Sequence, residues 1–403
     1  MIQALCRNRF PTRSLQFFYR RRAMATILLT GVTGTVGSSL APLLKERGHR
    51  LVCLVRGDDP VARTEKVFGC LDGVDVLRGD IVSPGLGISP AVIKQWRGRI
   101  DKVIHCASAI KFDESLAKEI TRINVFGTAN VLVFAEHMQI PEFHYVSTAY
   151  IAGTADKFKE TDLDIGQSCR NVYERTKMEA ERLVRRWETE KYSIYRLGII
   201  VGDTITGCTS AFNGFYVFVS RYCELRDYCL SKLAEAGRDI GEIGITQDGM
   251  LQLPIFANFS PFSTLNIVPV DWAARSLADL AEVPANGTTY HVVHPSPPRV
   301  MWLNDISLRH LGITGLRYGQ SQNHDSKTVL SKLQKLFDRG VAMYTPYTTH
   351  EAQFDVSNMP RVLGSAYIPP PDIDEVFVVK LIDFAKSVDF GRTRRNQEHK
   401  AVT

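Results

Sequence analysis

The chain has 403 residues, 44% hydrophobic and 23% charged, the balance of a globular protein long enough for one large α/β domain and a smaller one. No apolar run reaches the roughly 18 residues needed to cross a bilayer, and the eight cysteines include no C-x-x-C pair and no zinc spacing, so free thiols in a reducing cytosol and no metal site are expected. The net charge of +6 sits at the start: residues 1–23 carry six arginines and no acid, leaving 43 basic against 43 acidic residues, so charge gives no argument for nucleic acid.

Residues 1–23 read either as an Arg-rich, mitochondrial-type presequence or as residues ahead of a mis-assigned start, since Met24-Ala25 directly precedes the first strand. The second reading is preferred, and both leave the segment outside the fold. Thr26 to Thr30 is a short β-branched and leucine run, read as a buried strand. It breaks into Gly31, Gly34 and Gly37, and a helical pattern follows from about Ser38 to Arg47. Strand, glycine turn and helix form the context of a dinucleotide fingerprint. Gly31 permits the tight turn, Gly34 lets the backbone approach a pyrophosphate, and Gly37 lets helix and strand pack closely. Thr33, Thr35 and Val36 complete the cradle, and the helix start would meet the phosphates.

Residues 51–55 give a second buried strand. An NAD enzyme usually places an acid at its end for the ribose hydroxyls. Here stands Arg56, with Arg63 seven residues on, and a guanidinium suits the 2′-phosphate of NADP. Asp58 and Asp59 close by count against it. Val74 to Leu77 is a third strand, leading to Asp80-Ile81, where an acid can accept from an adenine amino group. Lys102 to His105 is a fourth, running into the small residues Cys106, Ala107 and Ser108 beside a ligand. A long helix is expected from about Leu116 to Met138, containing Asn124, and a fifth strand from Phe143 to Thr148. The alternation predicts an α/β fold: a Rossmann-type, doubly wound parallel sheet with a smaller C-terminal α/β substrate domain.

Asn171 to Val184 is a strong helical pattern that puts Tyr173 and Lys177, four apart, on one face. An ammonium beside a phenol lowers its pKa from about 10, making the tyrosine a better proton donor. Thr148 lies at a strand's carboxyl end, where open α/β sheets bind ligands, and its hydroxyl can hold a substrate carbonyl oxygen. These three are the candidate catalytic residues. Taken alone, such a Tyr/Lys pair is usually a solvated helix face; the glycine loop and the hydroxyl strand end change that reading.

At this point the chain resembles the extended short-chain dehydrogenase/reductases over roughly residues 26 to 294. The resemblance rests on Thr30-Gly31-x-x-Gly34-x-x-Gly37, Asp80-Ile81, Asn124, Ser147-Thr148 and Tyr173/Lys177, and implies Thr148 rather than Ser147 as the catalytic hydroxyl. Residues 103–113, 124–128, 144–150, 195–203, 206–207 and 266–271 look like the thioester-reductase branch, which includes fatty acyl-CoA reductases and reductive release domains. That resemblance implies NADPH-dependent reduction of an acyl thioester to aldehyde, sometimes onward to alcohol. Ser108 stands where the branch usually has alanine, and Leu197 where a proline commonly follows the arginine. With no recognisable adenylation or carrier domain, the thioester would arrive as acyl-CoA or on a separate acyl carrier protein.

Beyond Gly207 the alternation fails. Ala211 to Ser220 is aromatic and apolar, one wall of an acyl channel or ordinary core, followed by a helix to about Ala236. Residues 238–264 read as a loop region, residues 269–280 as a helix capped near Asp271, and residues 288–293 as a strand. Helices near 327–337 and 374–387 finish the domain, and His310, His324 and His350 lack metal spacing. The expected organisation is a leader at 1–23, the NADP-binding domain at 24–205, a substrate region at 206–390 from which 266–293 return to the core, and a polar tail at 391–403. Two readings compete with the reductase: an NAD(P)-dependent epimerase, dehydratase or ketoreductase acting on a sugar nucleotide or hydroxylated lipid, and a non-catalytic NADP-binding regulatory protein. A cytoplasmic location is expected, or mitochondrial if residues 1–23 are a presequence.

Overall fold

A computed structural model describes residues 24–187, 191–319 and 328–392. The leader, His324 and the tail beyond Arg392 lie outside them. The chain divides into two compact units.

The first unit comprises the described residues up to Ile200, with Val268–Pro295 and Ala352–Pro370. Its strands are β1 (Thr26–Thr30), β2 (Arg50–Val55), β3 (Val74–Arg78), β4 (Lys102–His105), β5 (Glu142–Thr148), β6 (Tyr192–Leu197) and β7 (Thr288–Val292). They form one parallel sheet in the order β7-β6-β5-β4-β1-β2-β3. The continuous apolar runs are explained by burial on both faces. Ile27 and Leu29 join one core cluster with Leu51, Cys53 and Val55, while Leu28 joins the other with Val52 and Leu54. The strand order reverses between β1 and β4, where such sheets open a ligand crevice at the carboxyl ends. Gly31 follows β1 and Cys106 follows β4, so the two segments flank that point.

The helices in chain order are α1 (Thr35–Glu46), α2 (Pro60–Phe68), α3 (Pro90–Trp96), α4 (Ala117–Thr121), α5 (Gly127–His137) and α6 (Val172–Arg185). Two differ from the sequence expectation. The first begins at Thr35 rather than Ser38, because the last two glycines form its N-cap and first turn. The single helix expected over 116–138 is instead α4 and α5 joined by a π-helical turn, Arg122–Phe126, which carries buried Asn124. The helix at Val270–Ala281 starts after Pro269 with no side-chain cap; Asp271 is in its first turn, where it complements the helix dipole instead of capping. Segment 352–370, read from sequence as substrate region, belongs to the first unit. Gln353–Phe354 pairs with Lys157–Phe158, and Trp272 Nε1 donates to the Ile368 carbonyl at 3.0 Å.

The second unit holds the helices Phe215–Ala236, Val300–His310, Val329–Val341 and Glu375–Ser387 with a small three-stranded sheet. The aromatic run is mainly core here: Phe212 packs on Tyr216, Phe384 and Phe390. Phe218 alone of that run lines a cavity of about 380 Å³, with Phe259, Phe337 and Asp338. His310 bonds Asp383 at 2.7 Å. Among the described residues six cysteines are free thiols. No helix of the described residues is long and apolar enough to cross a membrane.

Candidate active site

The three glycines differ in what requires them. Gly31 has φ +75°, and a Cβ there would stand 2.6 Å from the Ala107 backbone nitrogen, so it serves both a left-handed turn and the approach of the β4 end. A Cβ on Gly37 would lie 2.2 Å from the Gly31 carbonyl oxygen, which fixes the first turn of α1 against the loop. Gly34 is exposed, with ordinary φ −82°, and a Cβ there would meet one protein atom, the Gly31 oxygen at 3.2 Å. Protein packing therefore gives Gly34 little reason to be glycine; a ligand lying on the backbone would. It N-caps α1 without a side-chain cap, and no acid lies in that helix's first turn, so the positive end is uncompensated. These features fit a dinucleotide pyrophosphate. Thr33 Oγ1 accepts from Arg63 at 3.2 Å, Thr35 heads the helix, and Val36 packs onto the core.

Arg56 is exposed directly beyond β2, and its carbonyl accepts from Arg63 Nη1 at 2.5 Å. Arg63 thus bridges the glycine loop to the end of β2, a contact that the sequence showed only as a second arginine nearby. The neighbouring acids are engaged elsewhere: Asp58 pairs with Arg78 at 2.9 Å and Asp59 caps α2 by accepting from Ala62 N. Asp80 holds its loop through Oδ1, accepting from Val82 N at 3.1 Å, and Ile81 packs where a Cβ on Gly127 would stand 2.8 Å away.

Beyond β4 the polar groups are largely spent within the protein. Cys106 N donates to the Thr30 carbonyl and Ala107 N to Thr30 Oγ1. Burial pushes the Cys106 thiol up to about 12, against the pull of Lys177, so it is no nucleophile. Asn124, expected from the sequence as a cofactor-binding residue, has its carboxamide bonded within the protein. Its Oδ1 accepts from Ser108 Oγ at 3.1 Å and Ala109 N at 2.8 Å, and its Nδ2 donates to the Ala109 carbonyl and Thr176 Oγ1, both at 3.1 Å. That fills a carboxamide's capacity. Asn124 is a brace between this loop and α6, and Ser108 points its hydroxyl at that brace.

Thr148, Tyr173 and Lys177 come together where β5 meets α6. Thr148 is buried; its hydroxyl donates to the Leu197 carbonyl at 3.4 Å, accepts from Tyr150 N at 3.2 Å and lies near the Tyr173 phenol. Tyr173 is half-buried, with its ring 5.7 Å from that of Phe112. Lys177 is buried, donates from Nζ to the Val146 carbonyl at 2.7 Å and sits 4.2 Å from the Tyr145 ring centre. Burial lowers Lys177 to about 7, opposed chiefly by Glu181. The expected lowering of Tyr173 is not what the structure shows: burial raises it to about 12, opposed by the Thr148 hydroxyl, because the lysine faces Val146 and Tyr145. Ser147 is not available as the catalytic hydroxyl's rival, since its Oγ donates to Glu181 at 3.0 Å. Sequence reasoning missed Glu181, although its place four residues beyond Lys177 puts it on the same helix face.

Comparison with known proteins agrees with this geometry. Residues 29–277 match the NAD-binding family described as male sterility protein. The chain is 27% identical over 219 residues to the NRPS-like oxidoreductase fscA of Fusarium equiseti, covering 50% of this chain and 20% of that protein. It is 29% identical over 144 residues to fatty acyl-CoA reductase 1 of Gallus gallus, covering 31% and 28%. The chain thus spans less than a third of these relatives' length. Among solved structures, the terminal R domain from the myxalamid PKS-NRPS pathway superposes with a TM-score of 0.68 at 23% identity, covering 92% of this chain and 93% of that one. With more than half its length matched, and a Rossmann sheet whose glycine loop fits a nicotinamide dinucleotide, the chain belongs to the male sterility protein family of NAD-binding domains.

Proposed function

We propose that this chain is an NADPH-dependent reductase of acyl thioesters, acting on acyl-CoA or on an acyl group held by a separate carrier protein, and yielding aldehyde or alcohol. The observation that carries the reading is the convergence of Thr148, Tyr173 and Lys177 on one strand end and one helix face of the sheet that holds the glycine loop. The relatives' printed names, an NRPS-like oxidoreductase and a fatty acyl-CoA reductase, agree with it.

NADPH is favoured over NADH by Arg56, which stands exposed at the end of β2 while Asp58 and Asp59 are held by other partners. Gly34 and the start of α1 would hold the phosphates, and Asp80 would accept from the adenine amino group. When bound, the reduced nicotinamide supplies hydride to the thioester carbonyl carbon. Thr148 donates a hydrogen bond to the carbonyl oxygen and Tyr173 gives it a proton. A phenol held near 12 stays fully protonated at neutral pH, and an oxygen gaining alkoxide character is basic enough to take that proton. Lys177, whose Nζ is turned to the Val146 carbonyl and the Tyr145 ring, would hold the nicotinamide ribose. The hemithioacetal then releases thiol and aldehyde. In this reading the second unit is the substrate-binding region.

The test is NADPH oxidation by purified protein against a series of acyl-CoA and acyl-phosphopantetheine thioesters, with NADH and sugar nucleotides as comparators. Thioester-dependent oxidation is expected. Turnover of a sugar nucleotide with tightly retained NAD, and none of any thioester, would overturn the proposal.

A further inference from the structure

Three consecutive residues of β5 are matched to three residues of α6 spaced four apart. The Val146 carbonyl accepts from Lys177 Nζ, Ser147 Oγ donates to Glu181, and the Thr148 hydroxyl lies near the Tyr173 phenol. Two of these rungs belong to the site already described; the middle strand residue and Glu181 do not. Glu181 is fully buried, as is its main partner Arg196. Its Oε1 accepts from Arg196 Nη2 at 2.6 Å and from Arg185 Nη2 at 3.0 Å, and its Oε2 from Arg196 Nε at 3.2 Å and Ser147 Oγ at 3.0 Å. Ser147 and Arg196 are register partners on β5 and β6, so one carboxylate on α6 is tied to the same level of two strands. Arg196 is itself held by the carbonyls of Lys159 and Asp162 and by His291 Nε2.

We propose that Glu181, clamped by Ser147 and Arg196, is a positioning residue that fixes the height of α6 against β5 and with it the placement of Lys177 and Tyr173 on that helix. A buried carboxylate with this many donors is a rigid stop, and a salt bridge of this kind is retained for specificity of arrangement more than for net stability. Its charge also matters to Lys177. The groups facing that ammonium are Glu181 on its own helix, the Val146 carbonyl and Tyr145 ring on β5, and His105 and Cys106 at the end of β4. Burial holds His105 neutral, at about 3, and the Cys106 thiol protonated, so Glu181 is the anion in that set at neutral pH.

The inference rests on the proposed role of Lys177, and the experiment separates the two. Wild-type, Glu181→Gln, Ser147→Ala and Ser147→Thr proteins are compared for thermal melting, for NADPH binding across pH by fluorescence, and for thioester-dependent kcat and KM across pH. Loss of the Glu181 charge disfavours the ammonium, so the alkaline limb of both binding and kcat/KM should move to lower pH by about one unit in Glu181→Gln. Ser147→Ala should lower kcat about fivefold with little change in KM or in the melt, the loss of roughly one hydrogen bond's worth of alignment, and Ser147→Thr should restore it. Should Glu181→Gln fail to fold, the Ser147 pair decides. An unmoved alkaline limb in a folded Glu181→Gln, or a Ser147→Ala enzyme equal to wild type, overturns the inference. Absence of wild-type thioester turnover refutes the reductase proposal instead, and the NADPH-binding profile then judges Glu181 by itself.

Discussion

Replacing Gly34 by alanine separates what the glycine loop does for the fold from what it does for the cofactor. Its φ of −82° suits any residue, and the added Cβ would meet only the Gly31 oxygen at 3.2 Å, a contact relieved by a few tenths of an ångström. Alanine is a poorer N-cap than glycine, so the cost to stability should stay near or below about 1 kcal/mol, which for a domain of this size lowers Tm by about 2–4 °C. The same methyl stands over the exposed backbone where a pyrophosphate would rest, and displacing that contact should weaken NADPH binding on the order of tenfold or more, about 1.4 kcal/mol per decade. Gly37→Ala is the contrasting control. Its Cβ would sit 2.2 Å from the Gly31 oxygen and 2.8 Å from the Gly31 carbonyl carbon, backbone atoms that cannot step aside, so it should lose folding and binding together, by about 3 kcal/mol or more. Thermal melting and fluorescence titration with NADPH read both quantities. A Gly34→Ala protein that binds NADPH as wild type does would refute the assignment of this loop to the phosphates.

Arg56→Glu should weaken NADPH by about ten- to a hundredfold, a charged hydrogen bond's 1.5–3 kcal/mol, and leave NADH affinity nearly unchanged; equal loss for both cofactors in paired titrations would remove Arg56 from the 2′-phosphate. Tyr173→Phe keeps the ring contact with Phe112 and removes the proton, so kcat should fall by about 10² to 10⁴ with NADPH binding retained, measured by single-turnover NADPH oxidation. Glu160 is a pH prediction: burial raises its carboxyl to about 7 although it accepts from the backbone N–H groups of His291 and Asn358. A carboxyl raised above its unfolded value of 4.5 contributes stability that is fully present below about pH 4.5 and lost as pH rises through about 7. Wild-type Tm should therefore fall relative to Glu160→Gln across that window, and parallel melting curves would count against a buried, protonated Glu160.

The sheet was legible because its strands are buried on both faces. Runs such as Leu51 to Val55 have no polar alternation, and glycine and acidic turns punctuate them. Boundaries slipped where one side chain overrides a local pattern. Helical periodicity runs through residues 116–138, yet Asn124 needs its carboxamide turned toward Ser108, Ala109 and Thr176, and the chain takes a π turn there to deliver it. Segment 352–370 was unreadable for a different reason: it is attached to the first unit by a two-residue pairing, an indole bond, the bonds of Asn358 to Glu160 and Thr289, and Met359 in the core, contacts too distant in sequence to leave a pattern. The site shows the same division. Tyr173 and Lys177 announce themselves by spacing and Thr148 by its place at a strand end, while the tie from Ser147 to Glu181 joins residues too far apart in sequence to be read there. The two elements do not meet in simple sequence order: Val146, Ser147 and Thr148 of β5 lie against Lys177, Glu181 and Tyr173 of α6, an arrangement that helical spacing by itself does not reveal. Glu181 belongs to that set and, with Glu174 and Lys177, is a charged residue of the helix that an amphipathic reading assigns to solvent and the fold places in the core.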